Sequence, residues 1–133
     1  MAFQFSVAAR NAALDAIETA IGASPTLRIR SGAAPANAAA TATGTVLAEM
    51  TLPANWMADA ASGSKALAGT WEDLAANAAG TAGHFEIVQG ATRHIQGSVT
   101  ATGGGGDMEI QNTSIAVGQA ITVTAFTLTA GGA

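Results

Sequence analysis

The residues HFEIVQGATRHIQGSVTA, at positions 84–101, have the pattern of a β-hairpin, and the other elements of the fold can be placed around it. Two runs rich in strand-forming residues flank the loop Gly90-Ala91-Thr92. Counting outward from that loop, one face of the hairpin carries two facing pairs, Ile87 with Ile95 and Phe85 with Gly97. An aromatic ring that lies over a strand glycine covers exposed backbone, which supports this register.

Alternating apolar and polar residues predict further strands on both sides of the hairpin. These strands cover residues 27–30, 45–52, 65–71, 107–111 and 119–129. In the last of them the apolar pattern slips by one residue, which predicts a β-bulge or a change of partner strand near Ala125. The secondary structure of residues 72–82 is ambiguous, because their alanines favour a helix whereas Gly80 and Gly83 are expected to bracket a turn.

Near the start of the chain the apolar period changes to that of a helix. Residues 6–21 predict one amphipathic α-helix, which Ser6 caps and Gly22 ends. Asp15 is expected on the side away from the sheet and Glu18 near the edge of the apolar stripe. That stripe consists of Ala9, Ala13, Leu14, Ile17 and Ile21.

These elements together predict a mainly β fold. Residues 1–133 are expected to form a single domain, with the helix at 6–21 and a β domain over 26–130. The sheet is expected to be an antiparallel β-sandwich or a barrel-like structure, with the N-terminal amphipathic helix covering one end or face of it.

The composition indicates a subunit of a larger assembly. Charged residues make up only 11% of the chain, and the net charge is −4. Much of the 49% hydrophobic content is alanine, so we expect a thin core that neighbouring subunits complete. Scattered basic residues in an acidic chain argue against a nucleic-acid partner. The start lacks the pattern of a signal peptide and no apolar run is long enough for a membrane span, so we expect no membrane partner.

The sequence offers no group of residues suited to catalysis, so we expect no enzyme, no cofactor and no metal. The chain has no cysteine, which excludes thiolate zinc sites and cysteine nucleophiles. His84 and His94 lie several rungs apart on the hairpin and are interpreted as surface histidines. Glu72 and Asp73 diverge as neighbours, which suits a solvated turn better than a catalytic pair. A strand follows the glycine run 103–106, whereas a phosphate-binding loop leads into a helix.

Seven short stretches of the chain carry a resemblance to known proteins. They are RNAALDAIE (10–18), LPANWM (52–57), GTAGHF (80–85), QGSVT (96–100), GGGGDM (103–108), NTSI (112–115) and FTLT (126–129). In this order they resemble stretches of small structural proteins from tailed bacteriophages and prophages, over most of the chain.

The resemblance implies a virion component, and within that class a capsid decoration or cement protein. Such a protein binds the outside of the major capsid shell and stabilises it. The expected partners are therefore the major capsid protein and copies of the chain itself, as a homotrimer. The expected location is the capsid surface, after synthesis in the cytoplasm of the bacterial host.

Two other interpretations stay open at this point. One is a structural protein of the tail or of the head–tail junction. The other is a virion module that binds a glycan or receptor through Trp56 and Trp71, although such residues more often anchor a core or an interface. The side chains that we expect at an interface are Phe3, Phe5, Trp56, Met57, Thr127 and Thr129.

Overall fold

A computed structural model describes residues 3–132, and in this range the fold is mostly β with one helix. Helix α1 (Val7–Ile21) comes first and nine strands follow. The strands are β1 (Thr26–Ser31), β2 (Val46–Thr51), β3 (Ser64–Ala66), β4 (Glu72–Asp73), β5 (Gly80–Gln89), β6 (Thr92–Ala101), β7 (Met108–Ile110), β8 (Ser114–Ile115) and β9 (Ile121–Thr129).

The sheet has the order β2-β1-β5-β6-β7-β9-β3, with β4 paired to β9 and β8 paired to β5. Strands β6 and β7 are parallel, whereas the other pairs are antiparallel. The result is a curled mixed sheet, a half-barrel, which confirms the predicted mainly β, barrel-like fold with one N-terminal helix.

The hairpin β5–β6 has the predicted register, because Ile87 lies opposite Ile95 and Phe85 opposite Gly97. The connection is one residue shorter than predicted, since Thr92 already pairs with Gln89. A β-bulge at His94 compensates for the shorter connection, so the predicted register beyond it is kept. Arg93 pairs with Val88 and Ile95 pairs with Ile87, so His94 is the additional residue of β6.

The prediction of a turn between Gly80 and Gly83 is wrong, because both glycines lie inside β5. Their role is close packing of neighbouring chain segments. A Cβ atom on Gly83 would collide with the backbone carbonyl of Gly32.

The start of β5 also pairs with β8, a strand that the sequence pattern did not indicate. Glu72 and Asp73 form β4 rather than a solvated turn.

Strand β9 changes partners as predicted. Ala125 pairs with Glu109 and Val123 pairs with Ile110, which leaves Thr124 as the bulged residue. Before the bulge β9 lies beside β4, and after it β9 lies beside β3.

The core is built around four aromatic rings rather than around alanine. Trp56 contacts Trp71 at a centroid distance of 6.0 Å, and Trp71 contacts Phe126 at 5.4 Å. Phe85 meets Phe126 edge to face, also at 5.4 Å. Large aliphatic side chains surround these rings, while the alanines that are buried in the core are Ala48, Ala76 and Ala82. The expectation of an alanine-built core is therefore wrong, because most alanines lie at or near the surface.

Candidate interface

Helix α1 contacts the rest of the chain through the apolar Leu14 and Ile21, which are buried, and through a group of polar side chains beside them. Lys65 of β3 is only 1% exposed, and its ammonium group donates to Asp15 Oδ1 at 2.6 Å. It also contacts Glu18 Oε1 at 2.9 Å and donates to the Ala58 carbonyl at 2.9 Å. A buried cation requires counter-charges and hydrogen-bond acceptors, and α1 supplies two carboxylates. The prediction that Asp15 lies away from the sheet is therefore wrong.

Two further polar contacts fix the helix in this orientation. The Asn11 side-chain oxygen accepts a hydrogen bond from the Gly63 amide at 2.8 Å. Asp15 Oδ1 accepts another from the Ala60 amide at 3.0 Å. In the predicted apolar stripe, Leu14 and Ile21 are buried, whereas its other members, Ala9, Ala13 and Ile17, are exposed. The helix ends are as predicted, since the Ser6 hydroxyl accepts from the Ala9 amide and Gly22 ends the helix.

The contact between Lys65 and the helix shifts two pKa values in opposite directions. The hydrogen bond from Lys65, followed by that from the Ala60 amide, lowers the pKa of Asp15 below its ordinary value of 3.8. Burial by itself lowers the pKa of Lys65, but hydrogen bonds to Asp15 and Glu18 outweigh it and raise the pKa above 10.5. Both groups are therefore charged over the whole neutral range.

The side of α1 that faces solvent is uncharged and nearly free of polar groups. We call this side the outer face, and it consists of Ala8, Ala9, Ala12, Ala13, Ala16, Thr19 and Ala20, all of them exposed. A helix on the surface of a monomer ordinarily carries charged and polar residues on the side that faces solvent. The outer face is therefore suited to contact with another protein surface.

The segment before the helix extends this apolar surface. Phe3 is 86% exposed and Phe5 is 56% exposed. The Phe5 amide donates to the Gly132 carbonyl, which places the segment beside the end of β9. A cavity of about 360 Å³ lies between Phe5, the helix residues Ala9 and Ala13, and Ala130. The predicted interface residues Phe3 and Phe5 are thus available to a partner.

Thr127 and Thr129 are also exposed, on the last part of β9. Trp56 and Met57 differ from them, because they are 0% and 1% exposed and belong to the core. The expectation that they lie at an interface is corrected accordingly. The indole N–H of Trp56 donates to the Gly22 carbonyl at 3.0 Å, so the end of α1 satisfies its polar group.

The tryptophans do not form a platform for a sugar. Trp71 is 1% exposed, and its indole N–H donates to the Ala68 carbonyl at 3.1 Å. Both tryptophan rings pack inside the sheet, so neither presents a flat face to solvent. The two residues on which the glycan-binding interpretation relies are therefore both buried.

A second charged cluster lies on the hairpin face that is covered by residues 32–44. Glu86 is buried there and accepts from Arg30 Nε, while Arg28 and Arg93 lie within 3.6 and 3.8 Å of its other oxygen. Arg93 also donates to backbone carbonyls of that covering segment. His84 is buried beside the cluster with Nδ1 2.9 Å from the Gly32 carbonyl, so its interpretation as a surface histidine is wrong. The same interpretation is confirmed for His94, which is exposed.

The glycine run 103–106 is held by carboxylates of the chain itself. Glu109 accepts hydrogen bonds from the amides of Gly103 and Gly105. Asp107 accepts from the amide and the hydroxyl of Ser98. Within residues 3–132, no group of three or more acidic or histidine side chains converges in a way that could hold a metal ion.

Sequence reasoning missed Lys65 as the residue that orients the helix. The available signal was a single lysine within short strand β3, together with Asp15 and Glu18 three residues apart on one helix. Such a spacing places two carboxylates on one side of the helix, where they can share a cation. The local sequence pattern does not predict which strand supplies that cation.

Comparison with known proteins gives no relative for this chain. No protein-family model matches it, and no curated protein or solved structure matches it either. In the part of the chain that the structure describes, no helix combines the length and the apolar character that a bilayer crossing needs.

Proposed function

We propose that this chain is a structural protein of a tailed-bacteriophage virion, a capsid decoration protein that binds the outside of the major capsid shell. The observation that carries the proposal is the orientation of α1, which directs its charged groups inward and its alanines outward. The exposed Phe3 and Phe5 adjoin this surface. The resemblance of seven sequence stretches to phage structural proteins supports the assignment to a virion.

The use of charge in the fold is consistent with this role. At least four of the five basic side chains and seven of the nine acidic ones bind another group of the same chain. Charged side chains that bind groups of their own chain are held away from the outer face, which leaves that face uncharged. Small side chains on the outer face allow a partner backbone to approach closely, which increases dispersion contacts.

In this proposal the protein acts through many equivalent contacts. A decoration protein stabilises a shell because each bound copy favours the assembled state by mass action. The outer face and residues 3–6 supply uncharged surface for such contacts. Neither contact requires a catalytic group, a metal or a cofactor.

Electron cryomicroscopy of phage particles that encode the chain tests this proposal. We expect density for many copies on the outside of the shell, with α1 directed towards neighbouring protein. Density confined to the tail or to a single ring at the head–tail junction would contradict the decoration role and favour the alternative structural role.

A binding assay with substituted chains adds a matched control. Ala16→Glu introduces a charge on the outer face, whereas Ala91→Glu introduces the same charge on the exposed hairpin turn. We expect Ala16→Glu to reduce binding to undecorated particles at least about tenfold and Ala91→Glu to bind normally. Equal binding of both variants would contradict the role of the outer face.

A further inference from the structure

The sheet contains a gap that is one strand wide. Strand β7 is three residues long, whereas its neighbours β6 and β9 have ten and nine residues. β7 pairs with β6 only at Val99–Ala101 and with β9 only between Val123 and Phe126. Before Met108 the chain leaves the sheet through the glycine run 103–106. The remaining parts of β6 and β9 therefore face each other with no described strand between them.

The width of the gap follows from β7 itself. Because β7 pairs with both neighbours, β6 and β9 are two strand spacings apart at that point, roughly 9.5 Å. A cavity of about 400 Å³ opens on one side of the gap, and a second one of about 250 Å³ adjoins the same residues. The two cavities share Asp107, Phe126 and Thr127. The position that a longer β7 would occupy is thus open.

The backbone of β9 presents hydrogen-bonding groups to this gap. The Phe126 carbonyl accepts from the Leu67 amide and the Ala130 amide donates to the Gly63 carbonyl, so even-numbered residues bond towards β3. Successive residues of a strand direct their N–H and C=O groups to opposite sides. The backbone groups of Thr127 and Thr129 therefore point into the gap.

The backbone of β6 also presents hydrogen-bonding groups to the gap, from the side opposite to β9. The Ser98 amide points away from β5, because it donates to the Asp107 carboxylate at 2.9 Å. Two residues earlier on the same strand, Gln96 has the same orientation, so its N–H and C=O groups also face the gap. Buried or half-buried strand edges are ordinarily paired, and these two edges together form a place for one further strand.

The floor of the gap is apolar. Phe85 and Phe126 are buried below it, with their rings edge to face. Ile95 of β6 and Leu128 of β9 line its sides and are only partly buried. A strand that enters the gap with an apolar residue at every second position would cover all four side chains.

We propose that residues 3–6 of a second copy of the chain occupy this gap as an additional strand. These residues read FQFS, so two phenylalanines alternate with an uncharged polar residue. They have no helical structure and both rings are largely exposed. Strands β6 and β9 are antiparallel to each other, so the inserted strand would be parallel to one and antiparallel to the other. Addition of a strand to an open sheet edge is a recurrent mode of protein recognition.

The position of α1 favours a segment from another copy over the chain's own. α1 packs against β3, which lies on the opposite side of β9 from the gap. The Phe5 amide is bonded to Gly132, beyond the end of β9. A contact in which each copy donates one segment and accepts another is head-to-tail. Such contacts close into a ring when the rotation that relates neighbouring copies adds up to a full turn. The inference rests on the proposed multi-copy role and names the chain's own copies as the partner.

Engineered disulfides test this exchange directly, because the natural chain has no cysteine. In the inserted strand the two phenylalanines face the apolar floor, so Gln4 faces the same side as Thr127 and Thr129. Chains that carry Gln4→Cys with Thr127→Cys, or Gln4→Cys with Thr129→Cys, are oxidised under mild conditions. The matched control carries Gln4→Cys with Val117→Cys, a position that is also exposed but lies before the start of β9, at the end of that strand away from the gap. All the substituted positions are exposed, so the fold is retained.

We expect at least one of the two test pairs to form a ladder of linked dimers and larger species, at least tenfold more than the control pair. Replacement of both phenylalanines by serine in the same chain should remove the excess, because they provide the apolar contact. Linkage no greater than in the control, or linkage only within single chains, overturns the proposal. The location of the chain in particles is measured independently, so failure of the exchange is distinguishable from failure of the virion role.

Discussion

The interior of the sheet is apolar, whereas the contact between α1 and the sheet combines the apolar Leu14 and Ile21 with charged side chains. In the sheet, aromatic and aliphatic side chains point inward and the four core rings touch one another. In the helix contact, Asp15 and Glu18 point inward towards Lys65, and the alanines point outward. This contrast shows that, in a chain with few charges, a single buried lysine can act together with two apolar residues to fix which side of a helix faces the protein.

The largest loss of stability is expected for a substitution in the aromatic core of the sheet. Phe126 contacts both Trp71 and Phe85, so Phe126→Ala removes the ring that connects them. We expect a loss of about 3–5 kcal/mol in the free energy of unfolding, from lost burial and the cavity that remains. Urea unfolding measures the change. Phe3→Ala is the control and should change stability by less than about 0.5 kcal/mol, because Phe3 is exposed. Similar losses in both variants would contradict the described core.

A smaller loss of stability is expected for a substitution in the contact between α1 and β3. Lys65→Met retains the size of the side chain but leaves Asp15 and Glu18 without their cation. Because both carboxylates are partly exposed and can regain water, we expect a loss of about 1–3 kcal/mol, less than for a fully buried pair. Amide hydrogen exchange should show faster exchange in α1 while the protection of β5 and β6 is retained. Unchanged exchange in α1 would show that the ion pair does not hold the helix.

The same contact predicts that the stability of α1 depends on pH. The pKa of Asp15 is lowered on folding, so its contribution is complete above pH 3.8 and is lost as the pH falls further. The pKa of Lys65 is raised, so its contribution is complete below pH 10.5 and is lost as the pH rises further. Exchange of the α1 amides should therefore respond at both extremes, with no transition in the neutral range. A midpoint near pH 6–7 would point to a histidine instead and contradict this assignment.

The smallest effect on the stability of the single chain is expected at the outer face. Ala12→Glu lies on the exposed side of α1, where a charged residue is an ordinary helix surface residue, so the change should stay within about 0.5 kcal/mol. Thermal unfolding at low protein concentration, where association is weak, checks this. A loss of several kcal/mol would show that this side of the helix is packed against the chain itself.

The sequence was sufficient for features that local patterns determine. The hairpin register followed from the facing pairs around Gly90, and the helix ends followed from Ser6 and Gly22. The change of partner in β9 followed from its slipped apolar pattern near Ala125. Each of these features depends on residues that are close together in the chain.

Features that depend on distant residues were not predictable. The orientation of α1 is set by Lys65, which lies 50 residues beyond Asp15 in the chain. Strand β5 extends back to Gly80 because Gly83 packs against the backbone of Gly32. Of the residues expected at an interface, the phenylalanines and threonines are exposed, so they stay candidates for contact with a partner. The burial of Trp56 and Met57 was not predictable, because an isolated tryptophan in a loop of small residues suits a core and an interface equally well.

Sedimentation equilibrium over a wide range of protein concentrations tests most directly whether the outward-facing apolar surface exists for contact between proteins. We predict a mass that rises with concentration above that of one chain, and a return towards the single-chain mass when Phe3 and Phe5 are both replaced by serine. A single-chain mass at every concentration, or a mass that the two serine substitutions leave unchanged, would contradict the assignment of Phe3 and Phe5 to contact between copies.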